Sequence, residues 1–284
     1  MVTIRILHKT RYTFASEVFL EPHVLRLKAK SNSHIRLTSF RTDISPAPAG
    51  SSENMDVENN YNQHCWFEDL HGELLIVSES ILELDEFNPF QFLIHPSEYN
   101  QLPFQYKEID SRLLEPSLYS GSDLSSMSLY VDRIKKKSAR KTLPFVTDLL
   151  MQIHSDFSVE SRETGSPLEP HETFISKKGS CRDLSWMLVH ILRQSGIASR
   201  FVSGYFFLSP EDSNYELHAW VEAFIPGAGW IGLDPSHGIM AGSRHIPLAS
   251  SAFFENTMPL TGTSRGNSVG RLSTQLIMEE IGSA

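Results

Sequence analysis

Three residues in the second half of the chain have the types that acyl transfer needs: Cys181, His218 and Asp234. A thiol supplies the nucleophile and an imidazole takes its proton. A carboxylate then fixes the ring tautomer and offsets its charge. A lone cysteine is equally a small packing residue, so the case rests on whether the chain can bring the three together.

Around the cysteine the pattern is helical. After Gly179-Ser-Cys-Arg-Asp183, the residues Leu184, Met187, Leu188, Ile191 and Leu192 recur as one apolar stripe. Ser180 and Asp183 make a Ser-x-x-Asp capping pair, and Gly196 is placed to take the left-handed conformation beyond the last turn. Cys181 thus falls in the first turn and on the inward stripe. Amides there lack intrahelical partners, and the positive end of the helix dipole favours an anion. The position suits both a thiolate and the oxyanion of a carbonyl under attack.

The histidine and aspartate belong to a hairpin. Tyr215–Ile225 alternates with a period of two: the odd positions Tyr215, Leu217, Ala219, Val221, Ala223 and Ile225 are apolar, and His218 lies on the other face. Pro226-Gly-Ala-Gly229 turns the chain, and Trp230-Ile-Gly-Leu-Asp234 returns. If Ile231 and Leu233 share the apolar face, even positions pair with even ones. That register needs an odd number of loop residues and sets Asp234 opposite or diagonal to His218.

The elements that must hold this constellation follow from the rest of the chain. Its 284 residues correspond to about two domains at ~150 residues each. With 25 basic and 34 acidic residues the net charge is −9, which argues against a non-specific nucleic-acid binder. Only two cysteines are present, without a CxxC pair, so neither a disulfide framework nor a structural zinc site is indicated. The N-terminus lacks the apolar stretch of a signal peptide, and no run approaches the ~18 residues of a membrane span. The expectation is a cytoplasmic protein that engages neither membrane nor nucleic acid.

Residues 1–85 read as short strands and turns, with a loop at Ser45–Ser52 and turns at Asn59–Asn62 and Asp69–Gly72. That is a β-rich, sandwich-like domain. Residues 86–143 read as a connecting region with one or two short helices. Residues 144–284 read as an α+β catalytic core with an antiparallel sheet, entered by a helix over Phe145–Phe157. Arg271–Ile281 reads as a last strand that closes a sheet. Cys65, between His64 and Trp66, reads as a packed thiol, and mid-helix His190 as structural.

Four blocks carry a resemblance to a known family. Gly179-Ser-Cys-Arg-Asp183, Gly196–Tyr205, His218-Ala-Trp-Val-Glu222 and Gly229-Trp-Ile-Gly-Leu-Asp-Pro235 resemble, in order and spacing, the transglutaminase-like superfamily core. The first 85 residues resemble the β-rich N-terminal domain of its bacterial branch, whose Asp-Phe-Gly-Asn turn is matched loosely by Glu58-Asn-Asn-Tyr61. The resemblance implies a papain-like core with Cys181, His218 and Asp234 as catalytic triad. It implies a protein or peptide substrate attacked through a thioester, and no cofactor or metal. Trp220 and His237 are the further residues expected near the substrate.

Two departures from the family pattern bear on that pocket. Arg182 stands where Gln is commoner, and Ser250-Ser-Ala252 replaces the usual Gly-Arg-Asp after Ala249. Cys, His and Asp are also zinc-ligand types, although no HExxH pair accompanies them. Three functions therefore compete: a cysteine peptidase or amidase, a silent binding or scaffold protein, and a true transglutaminase that uses an amine as acceptor.

Overall fold

The computed structural model describes residues 1–121, 124–162, 164–208 and 215–283. The chain opens with β1 (Val2–Leu20), β2 (His23–Leu25), β3 (Ile35–Ser45), β4 (Gly50–Met55), β5 (Tyr61–Trp66) and β6 (Leu70–Leu84). Helices α1 (Glu108–Leu118), α2 (Ser128–Lys137) and α3 (Thr142–Asp156) follow. Next come β7 (Ser158–Val159), α4 (Pro170–Ser176), β8 (Lys178–Gly179) and α5 (Cys181–Gln194). The sheet strands β9 (Ser199–Phe206), β10 (Leu217–Ile225), β11 (Gly229–Asp234), β12 (Ile239–Met240) and β13 (His245–Ser251) complete the second half. Then β14 (Leu260–Thr261), β15 (Ser264–Arg265) and β16 (Arg271–Ser283) return toward the start.

The first half is a sandwich of two sheets, as its alternating strands require. One sheet has the order β15-β1-β6-β3, with β16 also on β1; the other runs β14-β2-β5-β4. Val18, Leu20, Leu25, Cys65, Phe67, Leu74 and Ile76 fill the space between them. Cys65 is completely buried there, and burial pushes its thiol up to about 11. The Ser-rich stretch 50–55, read from sequence as the end of a loop, is instead an exposed edge strand paired with β5. Its side chains have no apolar alternation because neither face of it is buried.

Two segments pack into cores beyond their own stretch of sequence. One is the connecting region 86–143. Its Ile94, Tyr99, Leu102, Leu124, Met127, Val131 and Ile134 enter the same core as α3 and α5. The tail does close a sheet, but that of the N-terminal half: β16 pairs along β1 from Val2↔Ser283 to Thr13↔Arg271. Strands β14, β15 and β16 thus all pair with strands of the first 85 residues. Strand pairing is set by distant partners, so a lone apolar strand carries no mark of which sheet it will join.

The halves share a core. Ile4, Ile6, Leu82 and Leu84 of the N-terminal sheet pack with Tyr205, Phe207, Ile246 and Leu248 of the second half. Asn60, fully buried, closes the contact: its Oδ1 accepts the Ser250 amide at 2.9 Å, and its Nδ2 donates to the Ser250 carbonyl at 3.0 Å. Glu58 accepts the Ala252 amide at 3.0 Å. The departure at Ser250-Ser-Ala252 thus lies at the junction between the halves. Small residues there let a side-chain amide approach the strand edge closely enough to replace a backbone partner.

His8 also lies in this junction, with Nδ1 3.1 Å from the Tyr205 hydroxyl and Nε2 3.3 Å from Thr10 Oγ1. Burial pushes it down to about 4, so the folded chain keeps it neutral while the unfolded chain protonates it near ~6.5. Stability is therefore lost as pH falls from about 6.5 toward 4, by up to ~1.4 kcal/mol per pH unit for this one proton. Denaturant unfolding of wild type and His8→Gln across that range should show the variant with the shallower slope. Equal slopes would exclude His8 as the source.

Candidate active site

The site is built from the start of α5 outward. Ser180 is the N-cap, and the reciprocal pairing with Asp183 is present: Asp183 Oδ2 accepts the Ser180 amide at 2.7 Å and its hydroxyl at 2.7 Å. Asp183 Oδ1 accepts from Arg162 Nη2 at 2.6 Å and from the Leu168 amide at 2.7 Å. One buried carboxylate thus ties the cap of α5 to the segment that runs past it. Gly179 is needed for this, because a Cβ there would come within 2.8 Å of Asp183 Cβ. Arg182 adds a second tie, donating to the Gly165 and Arg162 carbonyls. The Gln-to-Arg departure therefore ties Arg162 and Gly165 to the start of α5 beside Cys181.

Cys181 is half-buried and occupies the first position of α5, packed against the core that contains Leu184 and Leu188. Its amide is among those that no intrahelical carbonyl can reach. The inner face of α5 lies on β10, where Ser185 Oγ donates to the Ala219 carbonyl at 3.1 Å.

The hairpin has the register inferred from its alternation. Val221 pairs with Leu233, Glu222 with Gly232, Ala223 with Ile231 and Ile225 with Gly229. His218 and Asp234 are diagonal neighbours on the face opposite the core, and His218 Nε2 lies 2.7 Å from Asp234 Oδ2. That bond leaves Nδ1 as the nitrogen available to a thiol, and the neighbouring Cys181 helps to raise the His218 imidazole. Burial would lower the His218 imidazole. The charge and hydrogen bond of Asp234, joined by Cys181, override burial and push it up to about 10. Burial would likewise raise Asp234. The charge and hydrogen bond of His218, with further bonds from His237 and His245, hold it well below the usual carboxylate range.

Asp234 is fully buried and receives more than one histidine. His237 Nδ1 lies 2.9 Å and His245 Nε2 3.0 Å from the same Oδ2, while Oδ1 accepts the Ser236 and His237 amides at 3.0 and 3.3 Å. The His237 side chain is 35% exposed, so of the two residues expected near the substrate it keeps an open face. Trp220 does not. It is 2% exposed and sits edge-on to His245 at 5.3 Å between ring centroids. It shares the face of β10 that carries His218, but its ring lies over Gly204 of β9 and against His245, which closes it off from solvent.

His245 was not among the residues singled out from sequence. Its only signal there was a polar residue at the start of the apolar strand His245-Ile-Pro-Leu-Ala249. Atoms of His218, Asp234 and His245 lie within 4.8 Å of one another, a spacing also suited to a metal ion. Phe206 covers the group, its ring 5.5 Å from that of His218 and 4.3 Å from that of His245.

Gly204 of β9 stands opposite His218 in the sheet. A Cβ there would meet the Ile246 carbonyl oxygen at 2.2 Å and Trp220 Cη2 at 2.6 Å. The carbonyl belongs to a paired strand and cannot yield cheaply. Gly204→Ala should cost at least ~1–3 kcal/mol, the range for overpacking, as read by a shift in denaturant midpoint. A neutral result would mean that β13 can move away from β9.

The chain is similar to several known proteins. Residues 4–83 match the bacterial transglutaminase-like N-terminal region, and residues 130–235 match the transglutaminase-like superfamily. An uncharacterized protein of Mycobacterium bovis is 24% identical over 298 residues, covering 96% of this chain and 92% of its own length. A protein-glutamine gamma-glutamyltransferase of Pseudomonas aeruginosa is 28% identical over 90 residues, which is 29% of this chain and 14% of that protein. The crystal structure of a Cytophaga hutchinsonii protein, provisionally termed a cysteine protease, matches with a TM-score of 0.73 at 14% identity. That match covers 100% of this chain and 92% of the other, and it shows a shared fold. No helix among the described residues is long and apolar enough to cross a membrane.

Proposed function

This chain belongs to the transglutaminase-like superfamily and carries its bacterial N-terminal region, and on that premise we propose that it is a cysteine-dependent hydrolase of amide bonds in proteins or peptides. The observation that carries the reading is the pinning of His218: Asp234 holds one ring nitrogen at 2.7 Å and leaves the other available, with Cys181 close enough to raise the same imidazole. In the proposed cycle the thiol proton passes to His218 Nδ1, and the thiolate adds to the substrate carbonyl. The oxyanion rests on first-turn amides of α5, that of Cys181 among them. His218 returns the proton to the leaving amine as the carbon–nitrogen bond breaks, which leaves a thioester. Water then cleaves the carbon–sulfur bond and the thiolate is regenerated.

The test is selective alkylation. A haloacetamide near neutral pH should label Cys181 much faster than the buried Cys65, and His218→Ala should remove the advantage. Labelling of Cys181 at ordinary free-thiol rates, unaffected by His218→Ala, would sink the reading. Peptide and ester substrates compared between wild type and Cys181→Ala then separate turnover from a silent scaffold. The scaffold reading leaned on Ser250-Ser-Ala252, and those residues have a packing role at the junction between the halves.

Amine transfer is supported by one specific observation, the partial similarity to a protein-glutamine gamma-glutamyltransferase. The two acyl acceptors share every step up to the thioester. Incorporation of a labelled diamine into a glutamine-containing peptide, at the expense of hydrolysis, would decide for it.

A further inference from the structure

We propose that His245 is a positioning residue for Asp234, locked into a single tautomer by the amide of Gly242, and that this lock commits the histidine–aspartate cluster to proton chemistry rather than to metal binding. The proposal deepens the reading above and rests on it for its kinetic arm alone.

The tautomer follows from one backbone hydrogen bond. Gly242 N–H donates to His245 Nδ1 at 3.2 Å. A neutral imidazole has one N–H, so an accepting Nδ1 leaves the proton on Nε2. That nitrogen lies 3.0 Å from Asp234 Oδ2 and donates to it. The turn is closed in the other direction as well, by His245 N–H to the Gly242 carbonyl at 3.0 Å. The ring has little room to turn: Phe206 is stacked on it at 4.3 Å, Trp220 stands edge-on at 5.3 Å, and the residue is buried. The groups that face it with charge are Asp234, His218 and His237. Burial, with the charges of the other two histidines, lowers it and keeps it neutral despite the aspartate.

Two consequences follow. First, Oδ2 of Asp234 takes a fixed N–H from β13, a strand outside the hairpin, which holds the carboxylate in place beside His218. The charge that supports the His218 imidazolium is then aimed before the thiol gives up its proton. Second, the cluster loses a metal ligand. A metal binds the lone pair of an imidazole nitrogen, and the lone pair of His245 already faces Gly242. To offer Nε2, the ring would have to move its proton to Nδ1 and set two N–H groups against each other at 3.2 Å. The three atoms within 4.8 Å thus have the spacing of a metal site without its protonation state.

The experiment has two arms on the full chain. In the first, nitrogen-15 spectra of labelled wild-type protein assign the His245 tautomer: the proposal expects the proton on Nε2 at neutral pH. A proton on Nδ1, or an averaged signal, overturns it whatever the enzyme does. The second arm measures iodoacetamide alkylation of Cys181 at pH 6 and pH 9 and takes the ratio of the two rates, with circular dichroism at each pH establishing that every variant compared is folded. His245→Leu should lower that ratio about tenfold, the lower end of what loss of an orienting partner costs. His245→Gln, whose amide N–H can reach Oδ2, should restore most of it. An unchanged ratio in His245→Leu, or a glutamine variant no better than leucine, overturns the positioning role. If wild-type Cys181 alkylates no faster than Cys65, the proposed function fails, and the spectra still judge the tautomer lock.

Discussion

Asp234→Asn is expected to lower Cys181-dependent turnover by about four orders of magnitude while Cys181 itself is unchanged. The reason lies in the number of donors around this one carboxylate. Oδ2 receives three imidazole nitrogens and Oδ1 receives two backbone amides. Asparagine must turn its NH2 toward one of these groups. Backbone amides cannot become acceptors, whereas an imidazole can move its proton. The NH2 therefore faces the histidines, and His218 carries its proton on Nδ1, toward the thiol it should deprotonate. Turnover of a peptide or ester by wild type and Asp234→Asn, with Cys181→Ala as background, measures the loss. A reduction of less than tenfold would show that His218 keeps its tautomer without the carboxylate.

The same pair sets a pH window for stability. Asp234 is depressed, so its contribution is present above the ordinary carboxylate value of ~3.9 and is lost as pH falls. His218 is raised to about 10, so its contribution is whole below ~6.5 and is lost as pH rises toward 10. Both are fully present only between about 4 and 6.5. Unfolding free energies of Asp234→Asn should therefore fall less steeply than wild type on the alkaline side of that window.

The second large effect is on stability. Asp183→Ala should cost about 3 kcal/mol, the lower end of the range for breaking a buried ion pair, because its Arg162 partner is one-third exposed. Four donors lose their acceptor at once: the Ser180 amide and hydroxyl, Arg162 Nη2 and the Leu168 amide. Asp183→Asn should be damaging as well, since its NH2 must face one of these donor pairs. Denaturant unfolding gives the cost, and limited proteolysis should find new cleavage between residues 160 and 168. A loss below about 1 kcal/mol would mean that Arg182 alone holds the segment.

Much of this arrangement is legible in local pattern. The apolar stripe of α5, its Ser180–Asp183 cap and the left-handed Gly196 at φ 82° all follow from spacing. So does the odd-on-odd register of the hairpin, because a one-residue slip would turn every apolar side chain of β10 to the wrong face. The diagonal placement of Asp234 and His218 is a consequence of that register. Strand β4 was missed because it has no buried face. His245 was missed because its partner is eleven residues away across a turn whose closure depends on Gly242.

Two cysteines in the chain were separable by sequence alone, one on the inward face of a β-rich domain and one in the first turn of a capped helix. Periodicity decides such matters, since it reports which face of an element is buried. The tertiary structure alone decided that β16 returns to β1, that Asn60 joins the halves, that Trp220 is closed off from solvent, and that Asp234 serves three histidines. Each of these is a contact between residues remote in sequence or across an aperiodic turn. Nothing in the local alternation of apolar and polar residues encodes the partner of a buried polar atom; only the packed chain supplies it.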